Sequence, residues 1–402
     1  MERIYLDNNA TTIVDPKITD AMFPFFSEMY GNPNSLHSFG TEVHPYMKLA
    51  FDRIYAGIGA GDEDDVIINS CASEGNNHVL KGVYHSLIRG GSKSEIITTS
   101  VEHPCVMEAG RFLEDLGVKV HYLPVNEKGI VDVETLDPYL DPEKTALVSI
   151  MWANNETGLL FPIKELAAYC RERGVLFHSD AAQVIGKVPV NLQEVPVDFL
   201  TFSGHKFHAP KGIGGLFIRS GALEILKKAA EAAGGEHALT PLLHGGHQMG
   251  GHRAGTVNVP YLIGMGLAME LAVDNLPYEA TEVRRLRDRL EDGIADIEGI
   301  FILGDRDART PNTILASIRG VEGEALIWDL NRKGIAASTG SACASETLEA
   351  NPTFVAMGLG SELAHTGIRL SLSRFTTEEE IDYSIQAFRE SVERLRHIST
   401  AG

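Results

Sequence analysis

The sequence predicts an α/β protein, with a large domain on a mainly parallel seven-stranded sheet and a smaller α+β domain after it. Three observations predict this. From about residue 60, short β-branched apolar runs alternate with helical patterns. The runs are apolar throughout rather than at every second residue, as in parallel strands covered on both faces. After about residue 276 the alternation gives way to a charged helix and a new order of elements. A length of 402 residues also exceeds one compact core and suits two domains.

In chain order, DVIINS (65–70) reads as the first strand of the sheet, followed by a helical stretch around 76–89. EIITTS (95–100), a helix at 105–116 and VKVHYL (118–123) come next. ALVSIM (146–151) precedes IKELAAYCRER (163–173), whose apolar spacing is helical. VLFHSD, DFLTFS and GGLFIR complete the seven strands. KKAAEAAGGEHALT (227–240) reads as a mobile insertion, and a long helix around 259–276 as the join between domains. In the smaller domain, EATEVRRLRDRLEDGIADI is a charged helix and NTILASI (312–318), GIAAST (334–339) and GIRLSLS (367–373) are strands. TTEEEIDYSIQAFRESVERLRHI closes the chain as an amphipathic helix with a threonine cap and an acidic first turn.

The formal net charge of −20 argues against a nucleic-acid partner, because a phosphate backbone would repel it. No run approaches the roughly 20 apolar residues of a membrane helix. MERIYLDNNATT has no basic segment followed by an apolar stretch, so no secretory signal is expected. The four cysteines, Cys71, Cys105, Cys170 and Cys343, form neither a C-x-x-C pair nor a disulfide framework. A reducing cytoplasm is the expected compartment.

Several polar residues stand where apolar strands end, the edge at which open α/β sheets bind ligands. Asp180 follows FHS; a carboxylate there can pair with a protonated pyridine nitrogen, although an aspartate there can equally cap a helix. Gln183 can reach a ring oxygen. Lys206, in TFSGHKFHAPKGIG (201–214), is a candidate Schiff-base amine, with Ser203 and His205 placed to donate to a phosphate. Ala72 and Ser73 open a helix whose backbone N–H groups suit the same phosphate. His103 can stack on an aromatic ring and move protons. Cys343 lies in AASTGSACASE (336–346) among Gly, Ser, Ala and Thr, with no bulky neighbour to anchor it, so it reads as a functional thiol on a mobile loop. Arg369 carries the guanidinium fork that clamps an α-carboxylate, with Arg374 its neighbour and competitor.

With these motifs, and with YLDNNATT, GNPNSLH, ANNETG, HRAGTVNV and IRLSLSRFT in order along nearly the whole chain, the sequence resembles the cysteine desulfurases, closest to the NifS type beside IscS. The resemblance implies a homodimer of the fold type I, aminotransferase-like class with pyridoxal 5′-phosphate (PLP) as cofactor. It implies that Lys206 holds PLP, Asp180 pairs with its ring nitrogen, and Gln183 and Asn155 lie near its ring oxygen. His103 would lie over the ring as acid–base. Ala72, Ser73, Ser203 and His205 would hold the phosphate, with Thr256 reaching in from the other subunit. Arg369 and Asn155 would bind the carboxylate of L-cysteine, and Cys343 would accept its sulfur for an iron–sulfur scaffold of the NifU/IscU kind. No metal is expected in the PLP site, though Cys343 could contact a cluster on that partner. The expected division is an arm at 1–15 packed on the small domain, a large domain at 16–275, and a small domain at 276–402 carrying the cysteine loop at about 336–348. Three positions depart from the usual motifs: Ser73 keeps a hydroxyl, His252 replaces an arginine, and Asn34 stands in GNPNS, where it can contact the substrate carboxylate. A selenocysteine lyase or an aminotransferase is the rival enzyme reading; the latter would have no use for the Cys343 loop. A scaffold that has lost catalysis is the third.

Overall fold

The computed structural model describes residues 3–400 except 92, 236, 341–351, 359, 361, 362 and 364. Its strands are β1 (Ile4–Tyr5), β2 (Asp65–Asn69), β3 (Glu95–Thr99), β4 (Lys119–Leu123), β5 (Thr145–Ser149), β6 (Leu176–Asp180), β7 (Phe199–Ser203), β8 (Gly214–Ile218), β9 (Ile300–Leu303), β10 (Thr313–Ile318), β11 (Ile335–Ala336) and β12 (Gly367–Ser371). Seven of them form one sheet in the order β2-β8-β7-β6-β5-β3-β4. The pairs from β7 to β4 are parallel, and β8 alone runs against both its neighbours. Every residue of β3, β5, β6, β7 and β8 is buried, which is why these segments are apolar without alternation. Successive residues serve opposite faces. Val148, Phe177 and Leu200 join one apolar cluster, while Leu147, Leu176 and Phe199 join another.

The smaller sheet is antiparallel, in the order β12-β10-β9. Helices Arg284–Ala295, Gly323–Arg332 and Glu378–Thr400 accompany it, and a separate cluster holds Leu290, Leu326, Ile314, Leu370 and Phe388. β1 lies parallel to β11, and Asn8 Nδ2 donates to the Ser371 carbonyl. Among the described residues no helix is long and apolar enough to cross a membrane.

Three expectations change. Only Ile335–Ala336 of GIAAST is strand, paired with β1, while Ser338 makes a single antiparallel bridge to Arg369 of β12. The third strand of that sheet is β9, an apolar run of only four residues, Ile-Phe-Ile-Leu, that follows closely on the charged helix. Residues 227–240 are not a loose insertion. The helix Ser220–Ala232 runs through the first part, driven by good helix formers, and Leu239 is fully buried in the core.

Candidate active site

β3, β5, β6 and β7 run the same way, and β2, antiparallel to β8, shares their direction. Their carboxyl ends therefore meet at one edge, and a cavity of about 250 Å³ opens there. Ala72, Ser73, His103, Asn155, Asp180, Gln183, Ser203, His205 and Lys206 all line it.

Lys206 ends a short 3₁₀ turn, Gly204–Lys206, that directly follows β7. Its Nζ donates to the Asn9 carbonyl at 2.6 Å and the Ala10 carbonyl at 2.9 Å. Burial, helped by the charge of Arg369, pulls its pKa down to about 8 against Asp180 and Asp7. A substantial share of this amine is thus neutral and nucleophilic near physiological pH.

Asp180 closes β6 and is 7% exposed. One oxygen accepts from Asn76 Nδ2 at 2.6 Å and the other from the Ala182 N–H at 2.9 Å. Thr201 Oγ1 donates to Asn76 Oδ1, which leaves the Asn76 nitrogen facing Asp180. His103 caps the helix Pro104–Asp115, its Nδ1 accepting from the Cys105 N–H at 3.3 Å. In the neutral ring the proton is then on Nε2. Burial lowers the His103 pKa, with Asp180 opposing and Lys206 adding to the shift.

The opposite wall suits a phosphate. Helix Ala72–Val83 has no side-chain cap at Cys71, so its first N–H groups are open. Ser203 Oγ is buried with no hydrogen-bond partner, although it faces the cavity. His205 is depressed to about 4, chiefly by burial, and Thr11 Oγ1 is 3.2 Å from its Nδ1. An orphan hydroxyl and an uncapped helix start in one cavity with an amine and a carboxylate match PLP, which has a phosphate, an aldehyde and a basic ring nitrogen.

Among the described residues, three of the expected ones, Arg369, Asn34 and Thr256, lie outside this lining. Arg369 is buried beside it: Nη1 donates to the carbonyls of Asn155 and Gly340, both at 2.9 Å, and Nη2 to Asp7 Oδ1 at 2.9 Å. Its Nε is buried without a partner. Arg374 pairs with Asp15 instead. Asn34 and Thr256 are exposed. Cys343 lies outside the described residues. At the position before Ala254, Arg253 pairs with Glu74 at 2.9 Å, so this arginine braces the start of the phosphate-side helix.

Asn9, Ala10, Asn76, Cys71 and Cys105 also belong to the site, and residue types alone did not reveal them. YLDNNATT marks the first two as a motif but gives no chemistry. Cys105 is held protonated, pushed up to about 12 by burial and by Asp180, which disqualifies it as a nucleophile.

Glu102, next to His103, supplies a pH prediction. It is buried, and its Oε1 accepts from Thr99 Oγ1 and the Met151 N–H. Burial raises its pKa to about 8 from 4.5. The folded chain then holds a proton that the unfolded chain releases above pH 4.5. This contribution to stability is full below that pH and is lost as pH rises through about 8. Glu102→Gln carries no such penalty, so its thermal midpoint, measured from pH 5 to 8, should gain steadily on wild type.

Residues 4–383 match the aminotransferase class-V family, the class that this sheet edge and its cavity define. NifS, a cysteine desulfurase of Azotobacter vinelandii, is 44% identical over 400 residues, covering 99% of this chain and 95% of the relative. The cysteine desulfurase IscS of Rickettsia felis is 42% identical over 398 residues, covering 98% and 92%. A solved NifS-like protein superposes with a TM-score of 0.87 at 36% identity, covering 98% of this chain and all of that one. The chain belongs to the class-V aminotransferase family, among its cysteine desulfurases.

Proposed function

We propose that the protein is a cysteine desulfurase that binds PLP, converts L-cysteine to L-alanine and passes the sulfur, as a persulfide on Cys343, to an iron–sulfur scaffold of the NifU/IscU kind. One observation carries the reading. A buried amine titrating near 8 and an acceptor-only carboxylate share one cavity with an unpartnered hydroxyl and an open helix N-terminus.

Bound there, PLP would supply an electron sink for negative charge developing at the substrate's α-carbon. Lys206 holds the cofactor and, as a free amine, can take the α-proton on Nζ. Asp180 would keep the ring nitrogen protonated. Gln183 and Asn155 would serve the ring oxygen, and His103 would relay protons beside it. Ala72, Ser73, Ser203 and His205 would hold the phosphate. Arg369 would receive the substrate carboxylate, and its Nε, which has no partner, supports that reading. Cys343 then attacks the substrate sulfur as a thiolate: the S–S bond forms, the C–S bond breaks, and its electron pair stays with carbon, which is protonated on the way to alanine. Gly340, whose carbonyl rests on Arg369, precedes Cys343 by three residues.

The same proposal includes a homodimer. Phe23, Phe26, Tyr30, Leu36, Phe39 and Leu49 are all exposed in one stretch, with Leu36 at 98%, and Asn34 stands among them. A partner covering that face would also bring in its own Thr256. It further includes the division into an arm at 1–15 and domains at 16–275 and 276–402, which the separate apolar clusters support. A cytoplasmic location accords with free Cys71, Cys105 and Cys170.

The direct test is mass spectrometry of the protein after exposure to L-cysteine. Added sulfur on the peptide holding Cys343 is expected. Alanine formation with that peptide unmodified would remove Cys343 as the acceptor.

A further inference from the structure

Gln183 lines the cavity, but a glutamine can present either a carbonyl or an amine there, with opposite consequences for an anionic ring oxygen. Its surroundings decide the matter. Lys187 stands four residues on, after a turn in which Gly186 has φ +74° and in which an added Cβ would lie 2.9 Å from Ala272 Cβ. The turn brings the Lys187 ammonium back beneath Gln183, where Nζ is 2.6 Å from Gln183 Oε1 and 3.1 Å from Asn9 Oδ1. Gln183 Nε2 in turn donates to the Asn9 carbonyl at 3.0 Å. Lys187 is 8% exposed and Gln183 6%, so water does not scramble these partners. The Asn9 carbonyl can only accept, so it takes Gln183 Nε2 and leaves Gln183 Oε1 facing the Lys187 amine, which donates to it; only this orientation of the amide satisfies both contacts.

We propose that Lys187 is a positioning residue that fastens the Gln183 oxygen away from the cavity and so fixes an N–H donor on the side of the cofactor's ring oxygen. Asn9 completes the lock. Its carbonyl receives both Gln183 Nε2 and Lys206 Nζ, and its Oδ1 receives Lys187 Nζ and Asn312 Nδ2. Burial, with the charges of Lys206 and Arg369 adding to it, lowers the Lys187 pKa to about 7, and Glu279 opposes that shift. Neither Lys187 nor Glu279 touches the cavity, so neither is a catalytic residue.

The inference rests on the PLP reading of the cavity, and its test separates the two. An N–H on the ring oxygen stabilises negative charge there and lowers the pH at which the lysine–cofactor linkage loses its proton. In the purified holoenzyme, that pH is the midpoint of the change in visible absorption. Lys187→Met frees the amide to turn, and the midpoint should rise by about one unit, tenfold in proton affinity. Equilibrium binding of PLP should weaken about tenfold, or 1.4 kcal/mol. Gln183→Leu should raise the midpoint similarly, and Lys187→Met added to it should change nothing more. Lys187→Gln, uncharged and closer in shape, carries the same comparison if the methionine variant does not fold: a smaller rise alone, and none on the Gln183→Leu background. A midpoint unchanged in the variant that folds, or a rise of equal size on both backgrounds, overturns the proposal, since the lysine would then be a structural group or act by its charge alone. A wild-type chain that takes up no PLP and shows no visible band would instead sink the cofactor reading itself.

Discussion

Lys206→Ala will lower alanine formation from L-cysteine by about 10³-fold or more, toward the upper range for loss of a positioned acid–base group. The loss has two parts. The variant has no amine to bind the cofactor's aldehyde carbon, and it has no base of suitable pKa at the substrate's α-proton. The remaining lysine near the site, Lys187, cannot substitute, because its Nζ is engaged by Gln183 and Asn9 and does not line the cavity. The helix start and Ser203 are untouched, so PLP should still bind through its phosphate, but without a covalent link. Borohydride followed by peptide mapping should therefore label position 206 in wild type and nothing in the variant. Lys206→Arg should be as inactive, because a guanidinium is not neutral at any working pH, whereas the lysine is half neutral near 8. Turnover in either variant above a tenth of wild type would mean that the covalent amine lies elsewhere.

The residues legible in the sequence share one property. Lys206, Asp180, Ser203 and His103 each stand where an apolar strand gives way to a polar turn, and in a parallel sheet all such places share one edge. Composition marks a strand's end, and topology then gathers the ends, so local signals were enough. Asn9 and Lys187 escaped because their meaning lies in partners 174 to 197 residues away or in the exact return of a turn. The guanidinium fork of Arg369 suggested a carboxylate clamp, but nothing local revealed that Asp7 and two backbone carbonyls already occupy both its Nη atoms. The same distinction explains the fold-level misses. β9 is a run of only four residues close behind a charged helix, and Leu239 looks like a loop residue until the core it enters is known.

Asp180→Asn is the sharpest test of how the site tunes its ring partner, and it should lower turnover by about 10²- to 10⁴-fold while leaving the fold intact. The carboxylate accepts from two donors aimed at separate oxygens, Asn76 Nδ2 and the Ala182 N–H. An asparagine has one oxygen, so one of those donors must face an amide nitrogen. Because Thr201 holds Asn76 Oδ1, Asn76 cannot flip without losing that bond. The variant thus loses the charge that would keep a pyridine nitrogen protonated and also loses its own alignment. Adding Asn76→Asp separates these effects. The new carboxyl can accept from the introduced amide and restore alignment, but it does not return the charge to position 180. Alignment as the main contribution predicts recovery in the double variant. Charge as the main contribution, which the ring chemistry requires, predicts that kcat stays low while PLP binding recovers. A double variant with wild-type kcat would show that the carboxylate need not stand at position 180 itself.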